Sequence, residues 1–200
     1  MDYLFAPERL ETSEFLLRPF QPGDGALLSA AISSSYEHLS PFVTWARPDF
    51  SPEIAEINCR VWRGQYLLNQ DFLLAIFSPD GKQLLGGTGY YLRGRKPKEQ
   101  IAEIGMWLAR DSAGKGLGTK VLVTLLKWGF SEWPWLRLYW HCDARNVASC
   151  RVAEKAGLTK EGLLRQEIVD SDGKTRRDMI YYAALKEEWH YQIEDLHGEV

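Results

Sequence analysis

Apolar residues recur along this chain at two different spacings, and the spacing predicts the elements. Dense apolar runs at Phe72–Phe77 and Leu84–Tyr91 bracket the turn residues Ser78-Pro79-Asp80-Gly81, which predicts a β-hairpin. Leu16 to Phe20, Ile101 to Leu108 and Leu136 to Cys142 read as further strands. Between the last two, Leu117, Val121, Leu125 and Trp128 form a stripe at helical spacing, opposite Lys120, Thr124, Lys127 and Ser131, and Pro134 stops it. Gly23-Asp24-Gly25 leads into helical sequence through Ala30, and Ser51-Pro52 opens a helix from Glu53 to Leu68. A helix from Val147 to Ala156 ends on Gly157 as its C′ residue, and a last hairpin turns at Ser171-Asp172-Gly173. No internal repeat or low-complexity linker interrupts this order, so residues 1–200 are expected to form one domain.

Composition narrows the function classes. With 45% hydrophobic and 26% charged residues, 200 residues suffice for one well-buried domain and are few for two. The net charge of −3 leaves no basic excess, and no Lys/Arg run interleaved with aromatics suggests a nucleic-acid groove. No apolar stretch approaches bilayer-spanning length, and the amino terminus lacks a basic segment followed by an apolar run. Neither a nucleic acid nor a membrane is therefore an expected partner. Cys59, Cys142 and Cys150 show no CxxC spacing and leave an odd count, which suggests no disulfide framework or zinc knuckle and suits the cytoplasm. His38, His141, His190 and His197 have no paired ligand spacing, so no metal is expected.

The most informative stretch is Asp111-Ser112-Ala113-Gly114-Lys115-Gly116-Leu117-Gly118-Thr119, which follows a predicted strand and opens a predicted helix. Glycines let the backbone turn tightly and approach a ligand, while the free N–H groups of the first helical turn lie beside the positive end of the helix dipole. A diphosphate fits such a cradle. Spacing excludes two familiar phosphate loops. No Gly-Lys pair is followed by Ser/Thr with a glycine placed as a Walker A loop requires, and counting from Gly114 or Gly116 puts Thr119 or Val121 where a dinucleotide fingerprint needs its last glycine. An ordinary glycine-rich turn is the alternative for this stretch taken alone.

Four motifs in order resemble the GNAT acetyltransferases, and within them the RimL/RimJ branch that acts on ribosomal proteins. Ala113-Gly114-Lys115-Gly116-Leu117-Gly118 resembles their acyl-CoA pyrophosphate loop, with Ala113 departing from the usual Arg/Gln. Ala102-Glu103-Ile104-Gly105-Met106-Trp107-Leu108 looks like the strand before it, and Asn146 to Ser149 with Ala156-Gly157-Leu158 like the Asn-x-x-Ser helix after it. Leu16-Leu17-Arg18-Pro19-Phe20 resembles the first strand, and the likeness runs from about Leu10 to Leu185. The resemblance implies an α/β (α+β) fold with a mixed, mostly antiparallel twisted sheet, helices on both faces and splayed central strands. It also implies acetyl-CoA as cosubstrate, a primary amine as acceptor and no metal, and it admits a homodimer.

Carried over by resemblance, backbone groups at Trp107 and Leu108 would hold the pantetheine arm, with Gly114, Lys115, Gly116, Leu117, Gly118 and Thr119 around the diphosphate. Asn146 would contact the arm and Ser149 would protonate the leaving thiolate. Residues three apart share a helix face, and Asn146 is equally suited to capping the helix at Val147. Glu103 alternates onto the face of Ile101 and Trp107, an apolar setting expected to raise a carboxylate pKa toward that of a useful base, unless an arginine pairs with it. The branch's own base falls near Ile168, leaving Glu167 as a displaced substitute, and a water relay is also open. Trp45, with Arg47 and Tyr36, falls where the family walls its acceptor pocket. Arg93-Gly94-Arg95-Lys96-Pro97-Lys98 reads either as a solvated hairpin tip or as a rim contact to an acidic partner or to the ribose phosphate of CoA. The expected acceptor is the α-amine of a protein amino terminus or of a small metabolite; an antibiotic or polyamine acceptor, or a module that binds acyl-CoA without turnover, is the alternative.

Overall fold

The computed structural model describes residues 3–170 and 172–190. Eight strands make one sheet: β1 (Leu10–Glu11), β2 (Leu16–Pro19), β3 (Asp71–Phe77), β4 (Leu84–Tyr91), β5 (Ile101–Leu108), β6 (Arg137–Asp143), β7 (Thr159–Val169) and β8 (Arg176–Leu185), in the order β1-β2-β3-β4-β5-β6-β8-β7. Every neighbouring pair is antiparallel except β5 and β6. That exception follows from the chain between them, because helix α4 (Leu117–Ser131) carries the backbone back to the end where β5 began. Four further helices, α1 (Gly25–Ser34), α2 (Tyr36–Leu39), α3 (Pro52–Leu67) and α5 (Val147–Lys155), complete the fold. The strands and helices expected from the hydrophobic pattern are present, while β1 and α2 are too short to carry a readable period. The β7–β8 hairpin turns through Asp172 and Gly173; Ser171, expected in the same turn, lies outside the described residues, as does His197.

Alternation along the strands sorts side chains onto two apolar layers. Phe72, Leu74 and Ile76 of β3, Ile104 of β5 and Leu138 of β6 join Val121, Leu125 and Trp128 of α4 and Ala153 of α5 on one face. Ala75 and Phe77 point the other way, against Leu28 and Ile32 of α1 and Cys59 of α3. The two helices of that second layer cross so closely that a Cβ on Gly25 would lie 2.6 Å from the backbone nitrogen of Glu56. Ser51 caps α3 by accepting from the Ile54 amide at 3.3 Å, with Pro52 in the first turn, where its missing N–H costs nothing. After α4, Trp133 packs edge-on against Phe72 with centroids 4.9 Å apart and tilted against Tyr90 at 4.8 Å, contacts worth about 0.5–1.5 kcal/mol each beyond their burial. This cluster fixes the loop that delivers the chain into β6.

The feature that makes a site lies between β5 and β6. They pair only from Ile101↔Arg137 to Glu103↔Tyr139, then part, each staying bound to its outer neighbour: β5 to β4 through Leu108, β6 to β8 through Asp143. A wedge-shaped gap opens in the middle of the sheet.

Candidate active site

The gap has polar walls. Just past β5, the Ala109 amide donates to the Leu85 carbonyl of β4, and just before it the Gln100 carbonyl accepts from Leu136 and Arg137 where β6 begins. Because successive residues of a strand turn their N–H and C=O groups to opposite sides, Trp107 faces β4, where it pairs with Gly87, and Met106 and Leu108 face the gap. This corrects the expectation for Trp107: its backbone belongs to the sheet, and the residue that joins Leu108 in presenting main-chain groups is Met106, which the motif did not single out. The Trp107 indole serves packing. A Cβ on Gly87 would lie 2.5 Å from its Nε1, and Trp45 meets it edge-on with centroids 6.0 Å apart.

At the wide end of the gap stands the glycine loop. Gly114 and Gly116 have φ of +76° and +81°, left-handed values that favour glycine, and a Cβ on either would meet no heavy atom within 4 Å. Gly116 is the N-cap of α4. Among the described residues, no acceptor meets the backbone N–H groups of Gly114 through Thr119. Six unmatched donors around open space at a helix N-terminus are what a diphosphate requires, so the expected cradle fits the group. Lys115 reaches back to the Asp111 carbonyl at 2.8 Å, and Lys120 pairs with Glu14.

Asn146 caps α5: its side-chain oxygen accepts from the Ser149 amide at 3.1 Å. Its amide nitrogen meets no acceptor among the described residues and is free to donate to a ligand. Ser149 Oγ accepts from Trp140 Nε1 at 3.1 Å, which orients the hydroxyl and leaves its hydrogen to be donated. Cys142 and Cys150 lie beside it with sulfurs 3.5 Å apart, and burial pushes the Cys142 thiol up to about 12 against the opposing effect of a hydrogen bond with Ser149.

Glu103 sits in surroundings the strand pattern did not reveal. It is 4% exposed, yet its neighbours are polar: Arg93 donates to both carboxylate oxygens at 2.7 and 2.8 Å, and His141 Nδ1 lies 3.7 Å away. The apolar setting expected for it is therefore wrong, and the arginine pair, the alternative weighed against it, is what forms. The pairing also settles part of the basic cluster, because Arg93 turns inward and Arg95 points to the Tyr139 hydroxyl at 3.5 Å. The cluster lies at the start of β5 and the glycine loop beyond its end, about 25 Å along the strand, which sets it apart from the expected diphosphate cradle. Glu167 accepts from the Tyr181 hydroxyl at 2.7 Å, and the Tyr181 ring stacks on His141 at 5.1 Å. Glu103 and His141 thus line a cavity of about 530 Å³ together with Tyr181 and Ile168, and Glu167 joins this group through the Tyr181 hydroxyl. His141 was missed because a single histidine in a strand carries no spacing signal. Trp45, 45% exposed, lines a second cavity of about 310 Å³ with Arg47 and Phe50. Among the described residues no cluster of three or more His, Cys, Asp or Glu is placed to hold a metal, and no helix is long and apolar enough to cross a membrane.

The sequence profile of the acetyltransferase (GNAT) domain matches residues 14–159. The chain belongs to the GNAT acetyltransferase family. It is an acyltransferase that draws its acetyl group from acetyl-CoA. Among curated relatives, YdaF of Bacillus subtilis, a ribosomal N-acetyltransferase by name, is 28% identical over 174 residues, covering 86% of this chain and 92% of its own. The fold is also that of the ribosomal-protein-S5-alanine acetyltransferase of Vibrio fischeri, with TM-score 0.79, 18% identity and coverage of 92% and 100% of the two chains. RimL, the ribosomal L7/L12 alpha-N-protein acetyltransferase solved with coenzyme A, superposes with TM-score 0.79 at 20% identity, covering 89% of this chain and 98% of its own.

Proposed function

We propose that this GNAT enzyme acetylates the α-amine of a protein or peptide amino terminus. The observation that carries the reading is the parted β5–β6 pair, which gives a thioester a passage between unmatched amides at one end and an open polar face at the other. The bound acetyl-CoA supplies a thioester whose carbonyl carbon an amine can attack. Gly114 to Thr119 donate to its diphosphate, and the main-chain groups of Met106 and Leu108 align its arm as an added strand would be aligned. Asn146 offers its side-chain amide to the same arm. Ser149, held by Trp140, gives its proton to the departing sulfur, and Glu103 or Glu167 receives the amine's proton, directly or through a neighbour.

An α-amine suits these groups. With reference pKa values of about 7.7–8.0 against about 10.4 for lysine, roughly a tenth of α-amines but far less than a hundredth of lysines is neutral at pH 7, so a weak base suffices. The relatives named for ribosomal proteins support a protein acceptor, Trp45 and its cavity supply an apolar wall for the first residue, and three free thiols fit a reducing cytoplasm. The test is thiol release from acetyl-CoA across peptides with varied first residues, amino-terminally blocked lysine peptides, polyamines and aminoglycosides. Unblocked peptides should turn over fastest. Faster transfer to lysine, polyamine or antibiotic would refute the acceptor class, and binding of acetyl-CoA without turnover on any amine would refute the enzyme reading.

A further inference from the structure

We propose that His141 is the group that takes the proton from the attacking amine, with Glu103 holding the charge it acquires. The proposal rests on the acetyl transfer to an amine set out above and adds the residue that does the proton work. Three observations carry it.

Glu103 is badly placed to meet an amine itself. It is buried, and both its oxygens are occupied by the Arg93 guanidinium. His141 stands next to it toward the cavity, with a side chain 21% exposed. Its Nδ1 is buried, has no hydrogen-bond partner among the described residues, and lies 3.7 Å from Glu103 Oε2, so a small rotation of the imidazole makes Nδ1–H a donor to that oxygen. A buried ring nitrogen left unmatched costs stability, and it is accounted for here as half of a pair that closes when the ring becomes charged. Tyr181, stacked on the ring and itself donating to Glu167, holds the plane of the imidazole where it lines the cavity.

The position in the sheet is the second argument. The last residue pair joining β5 to β6 is Glu103↔Tyr139, and His141 is the next residue of β6 on that face, at the mouth of the gap. Trp140 and Cys142 alternate to the opposite face, where Trp140 holds Ser149. Proton acceptor and proton donor therefore flank one short stretch of β6 from opposite sides, as an amine entering by the open face and a thiol leaving through the gap require. The third argument is chemical, since imidazole exchanges a proton near neutrality and can carry it in by Nε2 while Nδ1 is held by a carboxylate.

The step balances without any further reactant. The amine nitrogen forms a bond to the acetyl carbon, the carbon–sulfur bond breaks with its electrons on sulfur, the amine proton goes to His141 Nε2, and sulfur takes a proton from Ser149. The imidazolium, facing Glu103, Arg93, Arg95, Tyr139 and Tyr181, then returns its proton to solvent, and Ser149 takes one back from solvent, so that both residues end as they began.

The test compares wild type with His141→Gln and His141→Gly, using acetyl-CoA and an amino-terminal peptide that the wild type acetylates. His141→Gln should lower kcat about 10²-fold. Its calorimetric Kd for acetyl-CoA should stay within about twofold, which also reports a folded protein. Added imidazole should restore turnover to His141→Gly. Glu103→Gln should likewise lower kcat while leaving the calorimetric Kd for acetyl-CoA unchanged, because the charge that balances the imidazolium has gone. Unchanged kcat in His141→Gln, a loss confined to the peptide KM, or a kcat indifferent to Glu103→Gln would overturn the proposal while leaving acetyl transfer intact. A wild type that binds acetyl-CoA but acetylates nothing would overturn both.

Discussion

Gly116→Asp tests the cradle most directly, and its effect can be worked from the local geometry. Gly116 is exposed, has φ of +81°, and shows no heavy atom within 4 Å of a built Cβ, so the new side chain meets no steric obstacle. The left-handed backbone costs an L-residue about 1–2 kcal/mol, and an aspartate at the N-cap recovers about 1 kcal/mol by accepting from the unmatched amides, so the fold should be nearly as stable as wild type. Ligand binding fares differently. The carboxylate takes the donors a diphosphate needs and adds like charge at about 4–5 Å, where each pair of charges repels by about 1 kcal/mol in water and about 4 at an effective dielectric near 20. For an exposed loop, a net penalty of about 2–3 kcal/mol is reasonable, which weakens the Kd of acetyl-CoA roughly 30- to 150-fold. Titration calorimetry with acetyl-CoA and with S-acetylpantetheine, which lacks the diphosphate, reads this out. Only the first ligand should suffer, and Gly116→Ala should lose under about tenfold because it adds strain without charge. Unchanged acetyl-CoA affinity in folded Gly116→Asp, or an equal loss for both ligands, would refute the assignment of the loop to the diphosphate.

Ser149→Ala should lower kcat roughly 10²-fold while leaving the calorimetric Kd for acetyl-CoA near wild type; lost affinity with normal turnover at saturation would make the hydroxyl a binding contact. Asn146→Ala should cost about 1 kcal/mol in urea unfolding through the lost cap on the Ser149 amide, and should also weaken acetyl-CoA. Burial moves the Cys59 and Cys142 thiols from an ordinary 9.0 to about 12, and burial likewise raises Tyr66, Tyr91 and Tyr182, so the folded state keeps protons that the unfolded chain releases. Their contribution to stability is therefore complete below about pH 9 and is lost as pH rises through about 12, and thermal melts should show Tm falling across that window. For the same reason mass spectrometry after native iodoacetamide treatment at pH 8 should find Cys59 and Cys142 unmodified, and rapid labelling of either would contradict its burial.

The local patterns read from residues alone are those governed by short-range physics. Spacing of apolar residues placed α4 and the strands on either side of it, because a helix and a strand bury different sets of positions whatever they pack against. The glycines at 114 and 116 announced their own conformation, since positive φ is a property of one residue. The Asn146 cap and the Asn146–Ser149 pair follow from one turn of helix.

What the tertiary structure alone decided concerns residues whose meaning comes from across the sheet. Glu103 has apolar neighbours along its own strand, but its real neighbours arrive from elsewhere: Arg93 from the β4–β5 connection and His141 from β6. Trp107 and Leu108 adjoin in the chain, yet strand alternation gives the backbone of one to β4 and of the other to the gap. Glu167, Tyr181 and His141 are brought together by the β7 irregularity between Leu164 and Ile168 and by the β6–β8 pairing, neither of which has a local signature. A sequence specifies torsions and the burial of one face; which charges then meet on the other face depends on strand order and register, and these are properties of the whole sheet.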